Sequence, residues 1–219
     1  MAQITLVRHG QANSDSQDEQ GYDKLSPLGH EQAAWLGAHM RETKQEFDSV
    51  YCGTLRRHVE TTAGMQAEEY APVIQDARLN ELAYFDLSNA YETMTGTQTP
   101  NTREEFIEHM PRLLIAWKDG LLKDVPESFA AFEDRVNTAL ENIAARSDRA
   151  LVITSGGLIA NVTRQVMDLD MYAYARMCLA VMNTSTHRVT RVGAHLALTQ
   201  FNNIAHLEHT SRHYAQTHI

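Results

Sequence analysis

Gln3-Ile4-Thr5-Leu6-Val7-Arg8-His9-Gly10 is the stretch on which the reading of this chain turns. Ile4, Leu6 and Val7 predict a short buried strand, and Arg8 and His9 fall where it ends. Gly10 permits a sharp backbone turn. In an open α/β sheet, ligands collect at the carboxyl ends of strands. A neutral imidazole at that place is a nucleophile toward phosphorus, and a guanidinium fork beside it can hold phosphate oxygens. Taken alone, Arg-His-Gly is equally a strand end without chemistry, so the rest of the chain has to decide.

Residues 11–24 are polar and read as a loop. Ser26-Pro27 predicts a helix start, serine as cap and proline as first helical residue, and Ala33, Leu36, Gly37 and Met40 give it one apolar face. Ser49 to Cys52 reads as a second strand, and Gly53-Thr54 turns the chain into a helix with Leu55, Val59, Thr62 and Ala63 on one stripe. Pro72-Val73-Ile74 is a weaker strand. Ala150 to Ile153 is the clearest central strand, short and continuously apolar, followed by Thr154-Ser155-Gly156-Gly157 and an apolar helix to Met167. Leu179 to Met182, Arg188 to Val192 and Leu196 to Phe201 read as closing strands, the last two antiparallel about Gly193. The β-α-β-α-β order predicts an α/β three-layer sandwich, with a mostly parallel central sheet and helices on both faces.

Residues 80–125 interrupt this rhythm. Thr93 to Thr102 reads as a loop, and Thr102-Arg103-Glu104-Glu105 as a capping box opening a helix. Pro111 should end or kink that helix, with Leu113, Leu114 and Trp117 beginning another segment. Pro126 should open a long helix buried through Phe129, Phe132, Val136, Leu140 and Ile143. About 45 residues with few large apolar groups make a poor independent core. The expectation is therefore one domain over residues 1–219, with a helical insertion at 80–125 over the active site.

The chain has 219 residues, 43% hydrophobic and 21% charged, as suits one globular domain. It contains no apolar run of roughly 18 residues, so no membrane span is expected. No basic-then-apolar leader precedes the first strand. Cys52 and Cys178 are too few for a disulfide framework, which favours a reducing cytoplasm. A formal charge of -9 argues against a nucleic-acid partner but not against a small phosphorylated one. No feature sets an oligomeric state.

Three strand-to-helix junctions now fall at one sheet edge. The first carries Arg8, His9 and Gly10. The second, Gly53-Thr54-Leu55-Arg56-Arg57, puts Arg57 in the first turn of its helix. The third puts Ser155, Gly156 and Gly157 at a helix N-terminus, where backbone N–H groups favour an anion. Glu81, just after the third strand, adds a carboxyl group. A nucleophile, two guanidiniums, an anion-binding turn and an acid are the parts phosphoryl transfer needs.

With these residues in place, the chain resembles the histidine phosphatase superfamily, which includes the phosphoglycerate mutases. Leu-Val-Arg-His-Gly-Gln at 6–11 is similar to the family signature. Leu25-Ser26-Pro27-Leu28-Gly29 with Gln32-Ala33 resembles the start of its first helix, and Thr54-Leu55-Arg56-Arg57 with Thr61 its second arginine motif. Leu79-Asn80-Glu81 resembles its acid motif, and Asn202 with His206-Leu207 its ending. The resemblance implies that His9 becomes phosphorylated, that Arg8 and Arg57 bind the phosphoryl group with help from Gly10, Ser155 and Gly156, and that Glu81 is the acid. It implies no metal and no cofactor.

One position departs from the pattern. The family places a second histidine before the Gly-Gly of the last junction, and this chain has Ser155 there. Losing a hydrogen bond to a charged group would slow reaction by roughly 10–100-fold. His58 follows Arg57 one helical step on (about 100°) and is expected to face another way. His206, His209, His213 and His218 invite a metal reading, but neither cysteine nor a carboxylate pattern joins them, and a solvated tail is the simpler expectation. The function expected is hydrolysis of a small phosphomonoester through phospho-His9. The rival is a phosphate-binding pseudoenzyme, favoured by Ser155. A mutase, or a phosphatase acting on phosphohistidine in another protein, is less favoured.

Overall fold

The computed structural model describes residues 2–13, 18–100, 102–193 and 195–218; part of the expected 11–24 loop, residues 14–17, lies outside them. A six-stranded sheet runs in the order β3-β2-β4-β1-β5-β6. The strands are β1 (Gln3–Arg8), β2 (Ser49–Cys52), β3 (Val73–Gln75), β4 (Arg149–Thr154), β5 (Thr186–Val192) and β6 (His195–Asn203). β1, β2, β3 and β4 are mutually parallel where they pair; β5 and β6 join antiparallel.

The helices are α1 (Glu19–Tyr22), α2 (Pro27–Glu42), α3 (Arg56–Gly64), α4 (Tyr84–Thr95), α5 (Arg103–Lys118), α6 (Phe129–Arg146), α7 (Gly156–Val166) and α8 (Met171–Ala180). Strand alternation divides the core into two layers. Leu6, Tyr51 and Val152 pack on one face with α5, α6, α7 and α8. Val7, Cys52, Leu151 and Ile153 pack on the other with Leu36 and Met40 of α2. Because side chains alternate with period two, both layers are built from the same strands. The α/β sandwich with helices on both faces is as the order of elements predicts.

Within residues 80–125, α4 and α5 contribute Leu87, Tyr91, Leu113, Leu114 and Trp117 to the larger apolar layer. Pro111 does not end α5, contrary to expectation. The helix runs through it from a complete capping box at Thr102 and Glu105, and its buried stripe of Met110, Leu113, Leu114 and Trp117 straddles the proline. Packing of that stripe outweighs one missing hydrogen bond. Leu179 to Met182 is not a strand: Leu179 and Ala180 end α8, which starts on the Asp170 cap. A short apolar run does not tell a strand from a buried helix end. The long helix opens at Phe129 on a Ser128 cap rather than at Pro126.

The C-terminal segment is folded rather than a solvated tail. Buried Gln32 donates to the Ala215 carbonyl at 2.7 Å and to Thr217 Oγ1 at 2.9 Å. His206 is buried and hydrogen-bonded to Thr184 Oγ1 at 2.8 Å. Among the described residues, no three His, Cys, Asp or Glu side chains gather as a metal site, and no helix is long and apolar enough to cross a membrane.

Two outcomes follow from this packing. Replacing Pro111 by alanine restores a backbone donor in mid-helix and should raise stability by about 1–3 kcal/mol, read from urea unfolding. Burial, aided by neighbouring positive charge, lowers the pKa of His187 and of His206 to about 3. The unfolded chain therefore binds more protons than the folded one below the ordinary imidazole value. Stability is full above about pH 6.5 and falls as pH drops, by about 2 kcal/mol per histidine at pH 5. A urea midpoint unchanged between pH 7.5 and pH 5 would contradict this.

Candidate active site

The parallel register pairs Arg8 of β1 with Thr154 of β4, so His9 and Ser155 leave the sheet side by side. His9 N–H continues the ladder by donating to the Thr154 carbonyl at 2.9 Å. One strand over, Cys52 pairs with Ile153, which brings Gly53 and the start of α3 to the same edge.

His9 is only 2% exposed, and its Nδ1 lies 2.7 Å from the Gly10 carbonyl oxygen. A carbonyl only accepts, so Nδ1 carries the proton and Nε2 keeps its lone pair. Burial, then the charges of Arg57 and Arg8 and the neighbouring His58, hold the His9 pKa well below the ordinary imidazole value; the Gly10 bond opposes them. The ring is neutral at pH 7.

Arg57 is 2% exposed, with Nη1 3.0 Å from Asp23 Oδ1 and its guanidinium 5.0 Å from the centre of the Tyr22 ring. Asp23 also accepts the backbone N–H of Arg56 at 2.9 Å and of Arg57 at 3.1 Å. A single carboxylate therefore caps α3 from outside the helix and orients the Arg57 head. Arg8 donates through Nη1 to the carbonyls of Val181 and, at 2.6 Å, His218. Its Nε lies beside Gly156 and has no hydrogen-bond partner among the described residues.

One expected phosphate contact is corrected, and a second is narrowed. Gly10 N–H is taken by Thr61 Oγ1 at 3.0 Å, and its α-carbon is so close to α2 that a Cβ would lie 2.4 Å from the Gly29 carbonyl oxygen. Gly10 is a close-approach turn, with its amide turned to Thr61. At the α7 N-terminus, expected to hold an anion through free amides, Glu81 takes the second and third amides. Its Oε2 accepts from Gly157 N–H at 2.9 Å, and its Oε1 from Leu158 N–H at 3.1 Å and Leu82 N–H at 3.1 Å. The helix prefers negative charge there, and the nearest carboxylate supplies it. Gly156 itself packs under Arg8, where a Cβ would come 3.3 Å from Nε.

His58 does not face away from the site. Its ring centre is 5.7 Å from that of His9, and its Nε2 is 2.6 Å from Ser155 Oγ. A step of about 100° separates Cβ directions in the first turn, but both side chains still reach the same sheet edge. Gly53 makes the room: a Cβ there would fall 2.2 Å from His58 Nδ1. Asn80 closes the bracket, accepting from Thr54 N–H at 2.7 Å and donating to Thr54 Oγ1 at 2.8 Å.

His9, Arg8, Arg57, His58, Ser155 and Glu81 thus share one edge of one sheet. Residues 4–204 match the model of the histidine phosphatase superfamily, branch 1. The chain belongs to the histidine phosphatase superfamily. A phosphoserine phosphatase from Entamoeba histolytica, solved with 3-phosphoglyceric acid, superposes with a TM-score of 0.70 at 20% identity, over 94% of this chain and all (100%) of that one. A phosphoglycerate mutase from Bacillus anthracis gives 0.68 at 18% identity, over 94% of each chain. A 2,3-bisphosphoglycerate-dependent phosphoglycerate mutase from Staphylococcus haemolyticus is 23% identical over 208 residues, covering 80% of this chain and 90% of its own. These relatives are phosphatases and mutases, and at such identities the structural likeness shows the shared fold.

Sequence reasoning missed Asp23, because a carboxylate in a polar loop carries no local signal for capping a helix 33 residues on. Asp23→Asn leaves a single carbonyl oxygen where two backbone amides each have their own acceptor, and it removes the counter-charge of a buried guanidinium. It should cost about 2–3 kcal/mol in chemical denaturation. Millimolar inorganic phosphate, offering Arg57 another anion, should recover part of that loss.

Proposed function

We propose that this superfamily member hydrolyses a small phosphomonoester through a phosphohistidine on His9. The observation that carries the reading is the neutral, buried imidazole whose Nδ1–H is held by the Gly10 carbonyl at 2.7 Å, leaving the Nε2 lone pair for phosphorus. A neutral nucleophile between two guanidiniums meets an anionic phosphoryl group without like-charge repulsion. Arg57, the Arg8 Nε and Ser155 bind its oxygens.

In the first step the Nε2 lone pair forms an N–P bond while the P–O bond to the leaving alcohol breaks. A protonated Glu81, turned off one of its amide donors, gives its proton to the departing oxygen. In the second step water attacks phosphorus, Glu81 takes a proton from it, and the N–P pair returns to His9. Inorganic phosphate leaves, and no metal or cofactor enters the scheme. The burial of His9, and of Arg57 against Tyr22 and Asp23, suits a small molecule better than a protein surface. We place the protein in a reducing cytoplasm, in keeping with the free thiols Cys52 and Cys178.

The second reading, phosphate binding without turnover, is favoured by the engagement of Arg8 Nη1 on two backbone carbonyls. An aryl phosphate assayed at pH 5.5 and 7.5 separates the two. The parent should turn over, and His9→Ala should be slower by about 1,000-fold or more. Acid-labile, alkali-stable phosphate should be trapped on the quenched parent. Equal, negligible rates in both proteins would overturn the enzyme and leave the binding protein.

A further inference from the structure

His58 and Ser155 are both fully buried, and each carries one hydrogen-bonding group that the fold leaves unused. The short 2.6 Å contact joins His58 Nε2 to Ser155 Oγ. The other ring nitrogen, Nδ1, has no hydrogen-bond partner among the described residues and abuts Gly53. Two proton placements are open to the pair. With the proton on Nδ1, a buried N–H would face glycine with nothing to accept it. With the proton on Nε2, the ring donates to Ser155 Oγ and leaves only a bare acceptor at Nδ1. Orphaned buried N–H groups are the rarer and costlier defect. The Nε2–H form therefore prevails, and burial together with the adjacent Arg57 charge keeps the ring neutral.

The hydroxyl is then committed as an acceptor toward His58, and its own proton is free to point elsewhere. We infer that the second imidazole of this site comes from α3: His58 Nε2–H donates to Ser155 Oγ, and Ser155 O–H donates in turn to a phosphoryl oxygen held before His9. The inference deepens the phosphohistidine reading and rests on it. Ser155 touches the phosphoryl group, whereas His58 acts through Ser155 and is a positioning residue. No bond is made or broken along this chain. Donation into the serine oxygen polarises its O–H and strengthens the bond it gives, which matters most where charge develops on the transferring group. The imidazole that the resemblance expects at position 155 is thus replaced by an imidazole and a hydroxyl in series. Gly53 is what lets the longer arrangement fit, since a Cβ would meet both His58 Nδ1 at 2.2 Å and Asn80 Oδ1 at 2.7 Å.

Metavanadate, an oxyanion that mimics the transferring phosphoryl group, tests this by titration calorimetry whether or not the substrate is known. Ser155→Ala and His58→Ala should each weaken it by about 10- to 100-fold. The double variant should bind within about 3-fold of the weaker single, because the two residues act as one unit. His58→Gln, whose amide N–H can reach the same oxygen, should recover most of the loss, a rescue that a space-filling role would not give. Ser155→Ala removes one oxygen atom and keeps the test valid should His58→Ala fail to fold. Parent-like binding by either single variant, or losses that multiply in the double, would overturn the inference. So would an acid-stable phosphoryl group on Ser155, which would mean that His58 is a base and Ser155 the nucleophile. Absence of acid-labile phosphohistidine in the parent would instead overturn the reading of His9 and leave the oxyanion result to stand by itself.

Discussion

Everything at the site depends on the pairing of two parallel strands. β1 and β4 run side by side with Arg8 opposite Thr154, and the bond from His9 N–H to the Thr154 carbonyl extends that pairing past the last paired residues. A slip of one residue would send every side chain on β1 to the other face. Val7 and Leu6 would exchange layers, and His9 would leave the edge where Ser155 stands. The two apolar layers prevent the slip, because Leu6 and Val7 are each fully buried in a different one. The position of His9 is thus fixed by packing energy in the residues just before it.

Given that placement, the electrostatics follow from burial. Two guanidiniums and two imidazoles lie close together, and the chain answers the positive charge by keeping both rings neutral. Among the described residues Asp23 offers a carboxylate to Arg57, while Arg8 is tethered by carbonyl dipoles. Carbonyls hold a guanidinium in place without cancelling its charge. Arg8 therefore keeps a positive charge that no carboxylate among the described residues pairs with, inside a chain of formal charge -9, and such a local charge can draw an anion.

Much of this was legible in the residues. The alternation of Ile4, Leu6 and Val7 and the continuous run Ala150 to Ile153 set the sheet, and Ser26-Pro27 and the Thr102 capping box set helix starts. His9, Arg8, Arg57 and Glu81 were found because strand ends and helix N-termini are recognisable locally. What escaped reading has a common cause. At Pro111 and Leu179, tertiary packing overrides local propensity. Gly10 was assigned to phosphate because a glycine that admits a ligand and a glycine that admits another backbone look alike. For His58, a helical wheel gives the direction of a Cβ but not where a long side chain ends or whether a neighbour makes room for it.

Such room is the common feature of the site's outer members. At the β2–α3 junction the missing Cβ of Gly53 admits the His58 ring. At the β4–α7 junction the missing Cβ of Gly157 admits Glu81, whose Oε1 would lie 2.5 Å from it. Gly157 admits a group from outside its own junction and Gly53 one from the helix it leads into, and Asn80, just before Glu81, is tied to Thr54, just after Gly53. Glu81 and His58 are therefore not independent additions beside His9 at the strand end. Asn80, packed with His58 around the bare α-carbon of Gly53, is the chain neighbour of Glu81, packed against the bare α-carbon of Gly157, so a shift of this short loop is felt at both places.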